Sequence, residues 1–365
     1  MSRSFSRTRR FHFCLCLLVS VLLSADAAER PSAVGGKSPD VWEGVLYYRD
    51  FAYGPRKDAP GEGEGYAGPL AGHDACGRIY NSHRSGQSFD LMVDARGVRS
   101  DAPVYLNIHG GAWSCACDKD GENLRFLRRL ALKGFAVVSM NYQLQTDVLT
   151  GGAETKRREK ATFADMLADV DAMVSHLKRE FLPGLGVRAD RFAIGGSSAG
   201  AHLALLYAYD QDNPKPLGLG LRHDLRVGFA VDIVGPTDLA DVGTADRRLV
   251  TLMGWLVDDD LAARQARGDV DGCRARLARH SPAHLVTQGS VPTILAYCRL
   301  KPDAETDGCV PVSAYHTMTN RLRTAGVPYA GDLRSGLRHG WLGAPYEEWL
   351  ADRIGDYAAR YLRAP

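Results

Sequence analysis

The chain is predicted to adopt an α/β fold, with a mainly parallel central sheet, helices on both faces and a small helical cap. Three observations predict it. Short, almost wholly apolar runs recur at Val104–Ile108, 135–140, 191–194, 227–234 and 291–297, the pattern of strands buried on both faces. Helical stretches lie between them, above all Phe163, Met166, Leu167, Val170, Met173, Val174 and Leu177 at i, i+3, i+4, i+7 spacing. Strands that alternate with helices imply βαβ units, and in such sheets chemistry gathers at the carboxyl ends of the strands.

The elements follow in order. Arg3, Arg7, Arg9 and Arg10 precede an apolar run from Phe11 to Leu23 and the small-residue stretch Ala25-Asp26-Ala27, the layout of a cleaved secretory signal over residues 1–27. The run is short for a permanent membrane span, so no stable membrane insertion is expected after cleavage. Residues 28–365 are then one catalytic-sized domain. Strand-like pieces at Val45–Ala52 and 87–93 flank a Gly/Pro-rich insertion at 54–86, which favours loop over any regular element. Residues 123–133 read as helix. A cap over 241–280 is expected from Leu249, Leu252, Met253, Trp255 and Leu256, and a last helix holds Tyr346, Trp349, Leu350, Ile354 and Tyr357.

Charge and composition narrow the classes of partner. The 365 residues are 45% hydrophobic and carry a formal charge of +2, which leaves no electrostatic footprint for nucleic acid. Loss of residues 1–27 removes four Arg and one Asp, so the exported chain would carry −1. Six cysteines would remain after export, namely Cys76, Cys115, Cys117, Cys273, Cys298 and Cys309. An oxidising compartment permits disulfides among them, with Cys298 and Cys309 the first pair expected. Cys115-Ala116-Cys117 lacks the spacing of a zinc ligand set, and Lys156-Arg157-Arg158-Glu159-Lys160 reads as a solvated helix face. Asp258-Asp259-Asp260 complements a helix start and needs no cation. His202, His284 and His316 read as packing or surface residues. No dinucleotide fingerprint is present.

Two loops carry the chemistry. After the 191–194 strand comes Gly195-Gly196-Ser197-Ser198-Ala199-Gly200, followed by good helix sequence. Gly196, Ser198 and Gly200 form G-x-S-x-G. A nucleophilic serine on so tight a strand-to-helix turn needs neighbours without side chains two residues either way, and the turn aims the Ala199 N–H at the reacting carbonyl oxygen. After Val104–Ile108 comes His109-Gly110-Gly111-Ala112-Trp113, whose unobstructed N–H groups suit a developing oxyanion, with Gly111 and Ala112 the expected donors. His109 reads as a brace for that loop, because His339 in Leu337-Arg338-His339-Gly340 fits the general base better. An orienting carboxylate is expected after the 291–297 strand. Asp307 is the first choice, with Asp303 and Glu305 in reserve. The order Ser198, Asp307, His339 is that of an α/β-hydrolase.

On these residues the chain resembles an α/β-hydrolase of the esterase/lipase group with an H-G-G-x-W oxyanion loop, near the hormone-sensitive-lipase-like and bacterial feruloyl- or acetyl-esterase-like branches. The resemblance also takes in Asn141-Tyr142, Gly235-Pro236-Thr237-Asp238-Leu239, Ser281-Pro282 and Asp307-Gly308-Cys309-Val310-Pro311. It covers the chain from about Tyr47 onward. It implies Ser198 as nucleophile, His339 as base, and Asp307, in the family's D-x-x-V-P, as the acid. Two features depart from the pattern. The loop before the acid is longer than usual and has a cysteine at each flank, and Gln143 stands where Arg is common. The function expected is an exported serine esterase acting on a small-molecule or plant-polymer-derived ester, without a cofactor. Kynurenine formamidases share H-G-G-x-W, so amide cleavage is the alternative, and a catalytically silent binding protein is the third reading.

Overall fold

The computed structural model describes residues 34–57, 86–114, 123–145, 161–240, 256–257, 259–340 and 342–363. The expected signal at 1–27, most of the 54–86 insertion, Cys76, Cys115 and Cys117 lie outside them. So do Leu249, Leu252, Met253 and Trp255 of the expected cap.

Among the described residues one nine-stranded sheet organises the fold, in the order β1-β2-β3-β5-β4-β6-β7-β8-β9. Strands β1 (Asp40–Trp42), β2 (Val45–Ala52) and β3 (Ser88–Asp94) run antiparallel, and β3 pairs antiparallel with β5 (Ala136–Met140). From β5 onward every pairing is parallel, through β4 (Val104–Ile108), β6 (Arg191–Ser197), β7 (Arg226–Ile233), β8 (Thr293–Arg299) and β9 (Tyr329–Ser335). The apolar runs seen in the sequence are these inner strands, displaced by one or two residues at their ends. Strands β4 and β5 are buried at every position, as helices on both faces require.

Alternate side chains feed two cores. On one face α1 (Leu124–Leu132) and the last helix, α9 (Ala344–Tyr361), cover Val137, Phe229, Val231 and Ile294. On the other, α2 (Phe163–His176), α4 (Ala199–Asp210) and α8 (Val312–Ala325) cover Leu106, Ile194, Ala230 and Leu295. Helix α2 begins at a capping box: Thr162 Oγ1 accepts from the Asp165 N–H, and the Asp165 carboxylate accepts from the Thr162 N–H. It continues through one π turn, Leu177–Phe181, into the short α3 (Leu182–Leu185). Of the expected cap, α5 (Asp259–Ala266) and α6 (Val270–Arg279) are described, with Leu256, Leu261 and Leu277 buried in the second core. The short α7 (Pro282–Leu285) follows.

Gln143 now has a physical account. Asp169 of α2 is buried and takes two hydrogen bonds from the Arg56 guanidinium, with further donors in Gln87 Nε2 (3.0 Å) and the Gln143 N–H (2.8 Å). Arg56 also donates to Gln143 Oε1 at 3.3 Å. The cation facing Asp169 thus comes from the segment that follows β2, and position 143 carries an uncharged side chain. Arg56→Ala is expected to lower stability by about 1–3 kcal/mol, because a buried carboxylate loses its charge-assisted donors. Urea unfolding followed by circular dichroism checks this. An unchanged midpoint would show that Gln87 and Gln143 suffice.

Candidate active site

The turn between β6 and α4 is built by what its glycines lack. A Cβ at Gly196 would lie 2.7 Å from the Gly200 carbonyl carbon and collide with Ile108 O, while one at Gly200 would lie 2.5 Å from His109 O. Both positions therefore press directly on the end of β4. Between them Ser198 takes φ 52°, ψ −122°, an uncommon backbone for a side-chain-bearing residue and one that functional turns retain. Its N–H donates to Ile233 O at 2.8 Å, which seats the turn against β7.

Three side chains named from the sequence meet there. Ser198 Oγ is 2.8 Å from His339 Nε2, and His339 Nδ1 is 2.7 Å from Asp307 Oδ2. Asp307 is buried, and its other oxygen accepts the N–H groups of Cys309 (2.9 Å) and Val310 (2.8 Å). The His339 N–H donates to Asp307 O at 3.1 Å. With the Nδ1–H given to the carboxylate, Nε2 is left as an acceptor for the serine hydroxyl. The reserve acids stand elsewhere: Asp303 is exposed beside Lys301, and Glu305 is exposed. The long loop before the acid closes on itself through Leu300 N to Thr306 O and a bridge between Thr306 and Pro311. That closure returns Asp307 to the end of β8.

The expected Cys298–Cys309 disulfide is not formed. Cys298 points inward at the end of β8, with Sγ 3.5 Å from Arg338 O and 3.9 Å from Asp307 Oδ2, whereas Cys309 is exposed on the turn beyond the acid. Cys273 is likewise a free thiol. Burial, reinforced by the Asp307 charge, pushes the Cys298 thiol up to about 12, so it stays protonated beside the carboxylate and is no rival nucleophile.

The loop after β4 bends sharply, with Gly111 at φ 104°, Ala112 at φ 50° and Trp113 at φ 59°. Among the described residues none accepts the N–H of Gly111, Ala112 or Ala199, and Ala199 opens α4. His109 is buried, with Nδ1 2.8 Å from Gly110 O and its ring stacked on Tyr142 at 4.5 Å. It is not part of the Ser198–His339 chain. Tyr142 Oη donates to His109 O at 3.1 Å. In the sequence the one signal for Tyr142 is its place beside Asn141 after a strand.

His202 is buried one turn beyond Ser198, donates from Nε2 to His280 O at 2.7 Å, and packs on Trp113 and Phe163. Burial pushes it down to about 3, so it is a neutral packing residue. Among the described residues no group of three or more His, Cys, Asp or Glu is arranged to hold a metal ion, and no helix is long and apolar enough to cross a membrane.

Comparison with known proteins agrees with this fold. The BD-FAE family model matches residues 89–322, more than half of the chain. A curated relative, the probable carboxylic ester hydrolase LipM of Mycobacterium tuberculosis, is 30% identical over 137 residues, which are 38% of this chain and 28% of that protein. The chain thus spans little more than a quarter of that relative. Among solved structures, an inhibited esterase B from Lactobacillus rhamnosis superposes with a TM-score of 0.60 at 18% identity, over 88% of this chain and 89% of that one. A truncated carbohydrate esterase from gut microbiota gives 0.56 at 16% identity, over 75% and 91%. At these identities the structural likeness is one of fold, an α/β-hydrolase fold.

Proposed function

The chain belongs to the BD-FAE family, and from that premise we propose that it is a carboxylic ester hydrolase, exported, working through Ser198, His339 and Asp307. The observation that carries the reading is the unbroken chain Ser198 Oγ, His339 Nε2, His339 Nδ1, Asp307 Oδ2, with links of 2.8 and 2.7 Å. Ser198 Oγ attacks the ester carbonyl carbon as its proton passes to His339 Nε2. Asp307 stabilises the imidazolium that results. The N–H groups of Gly111, Ala112 and Ala199 take the oxyanion. The C–O bond to the alcohol breaks, and His339 returns the proton to the departing oxygen. Water, activated by the same imidazole, then frees the acid from the acyl-serine.

The test is relative turnover of matched p-nitrophenyl esters (acetate to octanoate), anilides and formamides. Ester turnover at least 100-fold above anilide and formamide is expected, and the chain-length profile will size the acyl pocket. Preferential cleavage of the formamide would overturn the ester reading. Absence of any turnover by folded protein that also fails to take a fluorophosphonate label would leave a binding protein.

Two further outcomes follow from the same reading. Tyr142→Phe is expected to lower kcat about tenfold, equivalent to about 1.4 kcal/mol, because the hydroxyl that steadies the oxyanion loop is lost. Steady-state kinetics checks this, and an unchanged kcat would remove Tyr142 from the machinery. Export rests on residues 1–27, and N-terminal sequencing of protein recovered outside the cytoplasm is expected to begin at Ala28. Substrates in the class of acylated carbohydrates or short-chain acyl esters accord with the esterase relatives.

A further inference from the structure

The hydrolytic cycle has no use for Asp232, yet this acid is fully buried in β7, paired in register with Gly196 on one side and Leu295 on the other. Its Oδ1 accepts the Gly235 N–H at 2.8 Å, and its Oδ2 lies 2.8 Å from Tyr297 Oη. Tyr297 Oη in turn lies 2.5 Å from Gly235 O. A phenol has one hydrogen and a carbonyl oxygen can only accept. The nearby Thr237 hydroxyl gives its hydrogen to Ala314 O at 2.9 Å. The short contact to Gly235 O therefore takes the tyrosine hydrogen, and the contact between Asp232 and Tyr297 needs a hydrogen of its own.

We propose that Asp232 is a positioning residue held as the neutral carboxylic acid, donating to Tyr297, which donates to Gly235 O. The closed ring of Asp232, Tyr297 and Gly235 encloses Val234, a β-branched residue at φ 48°, where such a side chain is a genuine outlier. That turn backs the serine. Ile233 O accepts the Ser198 N–H, Val234 N donates to Ala296 O, and a Cβ at Gly235 would meet Ala201 at 2.9 Å. The neutral clamp thus holds a strained turn against the one that presents the nucleophile.

The groups facing Asp232 are consistent with a neutral acid. Tyr297 comes from β8 and Tyr209 from α4, its hydroxyl 2.7 Å from Thr293 Oγ1. Tyr315 of α8 packs on the Tyr297 ring at 5.4 Å, and Asp307 acts on Tyr297 from beyond it. Among the described groups acting on Asp232 there is no guanidinium, ammonium or imidazole. Burial pushes its carboxyl up to about 7, while the phenols of Tyr297 and Tyr209 are raised and stay protonated. Because the folded-state value lies above the unfolded one, the stability contributed is complete below about pH 4 and is lost as pH rises to about 7. Above that the clamp opens in the folded protein.

Full-length wild type and Asp232→Asn decide the matter, the amide being a donor that does not titrate. The infrared difference between them at pH 6 is expected to contain one protonated-carboxyl band, gone by pH 9. Relative to the variant, the folding constant of wild type is expected to fall by up to tenfold per pH unit between about 4 and 7. Only the kinetic arm rests on the esterase reading. There wild-type kcat is expected to turn down above about pH 7, while the variant does not and stays within about threefold of wild type at pH 6. Carboxylate bands alone at pH 6, or identical pH slopes of stability, would overturn the proposal even in an active esterase. If Asp232→Asn does not fold, a ¹³C-aspartate titration of wild type replaces it, and the absence of any carboxyl titrating near pH 7 is then the overturning result.

Discussion

Ser198→Ala is expected to lower kcat on p-nitrophenyl butyrate by about 10⁴ to 10⁶-fold, with the melting temperature nearly unchanged. The size of the loss follows from what the hydroxyl does. Without Oγ there is no covalent intermediate, and His339 and Asp307 have nothing to activate. Removing the nucleophile of such a unit costs nearly as much as removing the whole unit. What remains is the contribution of oxyanion stabilisation and binding, which is far smaller. The fold should not notice the change, because among the described residues Ser198 Oγ bonds only to His339 Nε2 and the Ser198 N–H bond to Ile233 O is a backbone one. Kinetics together with circular dichroism on the same preparation makes the measurement. Activity within 100-fold of wild type would remove Ser198 from the chemistry.

Gly200→Ala is expected to be strongly damaging for a single added methyl group. The added Cβ would run into Ile108 O and stand 2.5 Å from His109 O, and both are backbone atoms at the root of the H-G-G loop. Side chains give way in an overpacked core at a cost of about 1–3 kcal/mol. Here neither α4 nor β4 has a flexible end to move, so a loss of about 3 kcal/mol or more is expected, with at least a 100-fold fall in kcat. Gly355→Ala in α9 is the control. Nothing lies within 4 Å of the added atom, and removing a helical glycine is expected to raise stability by up to about 1 kcal/mol. Paired thermal melts compare the two. Equal, small effects would show that the close approach at Gly200 is not what makes glycine necessary there.

What could be read from the sequence was what physics forces into a short window. The inner strands had to be continuously apolar because helices cover both faces. The G-x-S-x-G turn had to lack side chains where it presses on β4. Asp307 could be preferred over Asp303 and Glu305 through its D-x-x-V-P setting, and in the structure it is the acid beside His339. Other features gave no local signal. Strand β9 is an edge strand, half exposed, and Tyr-Ala-Gly-Asp-Leu-Arg-Ser does not look like a buried run. Strand β1 is three residues long. The Arg56–Asp169 pair joins positions 113 residues apart, a distance no periodicity spans. Asp232 sat inside an apolar run and could not be distinguished from an ordinary interruption. The cysteine expectation failed for a similar reason, since proximity along the chain says nothing of which way each thiol points.

The Ser198–His339 hydrogen bond spans 141 positions, and that separation has a consequence for how activity is acquired. On a ribosome adding about 5–20 residues per second, the serine is polymerised roughly 7–28 s before its base. Strand β9 and the loop that carries His339 can settle only after β8 has offered its edge. A nascent chain that has already folded its elbow is therefore chemically inert. On the esterase reading, turnover is gained in one late step, when the loop that carries His339 closes on Ser198.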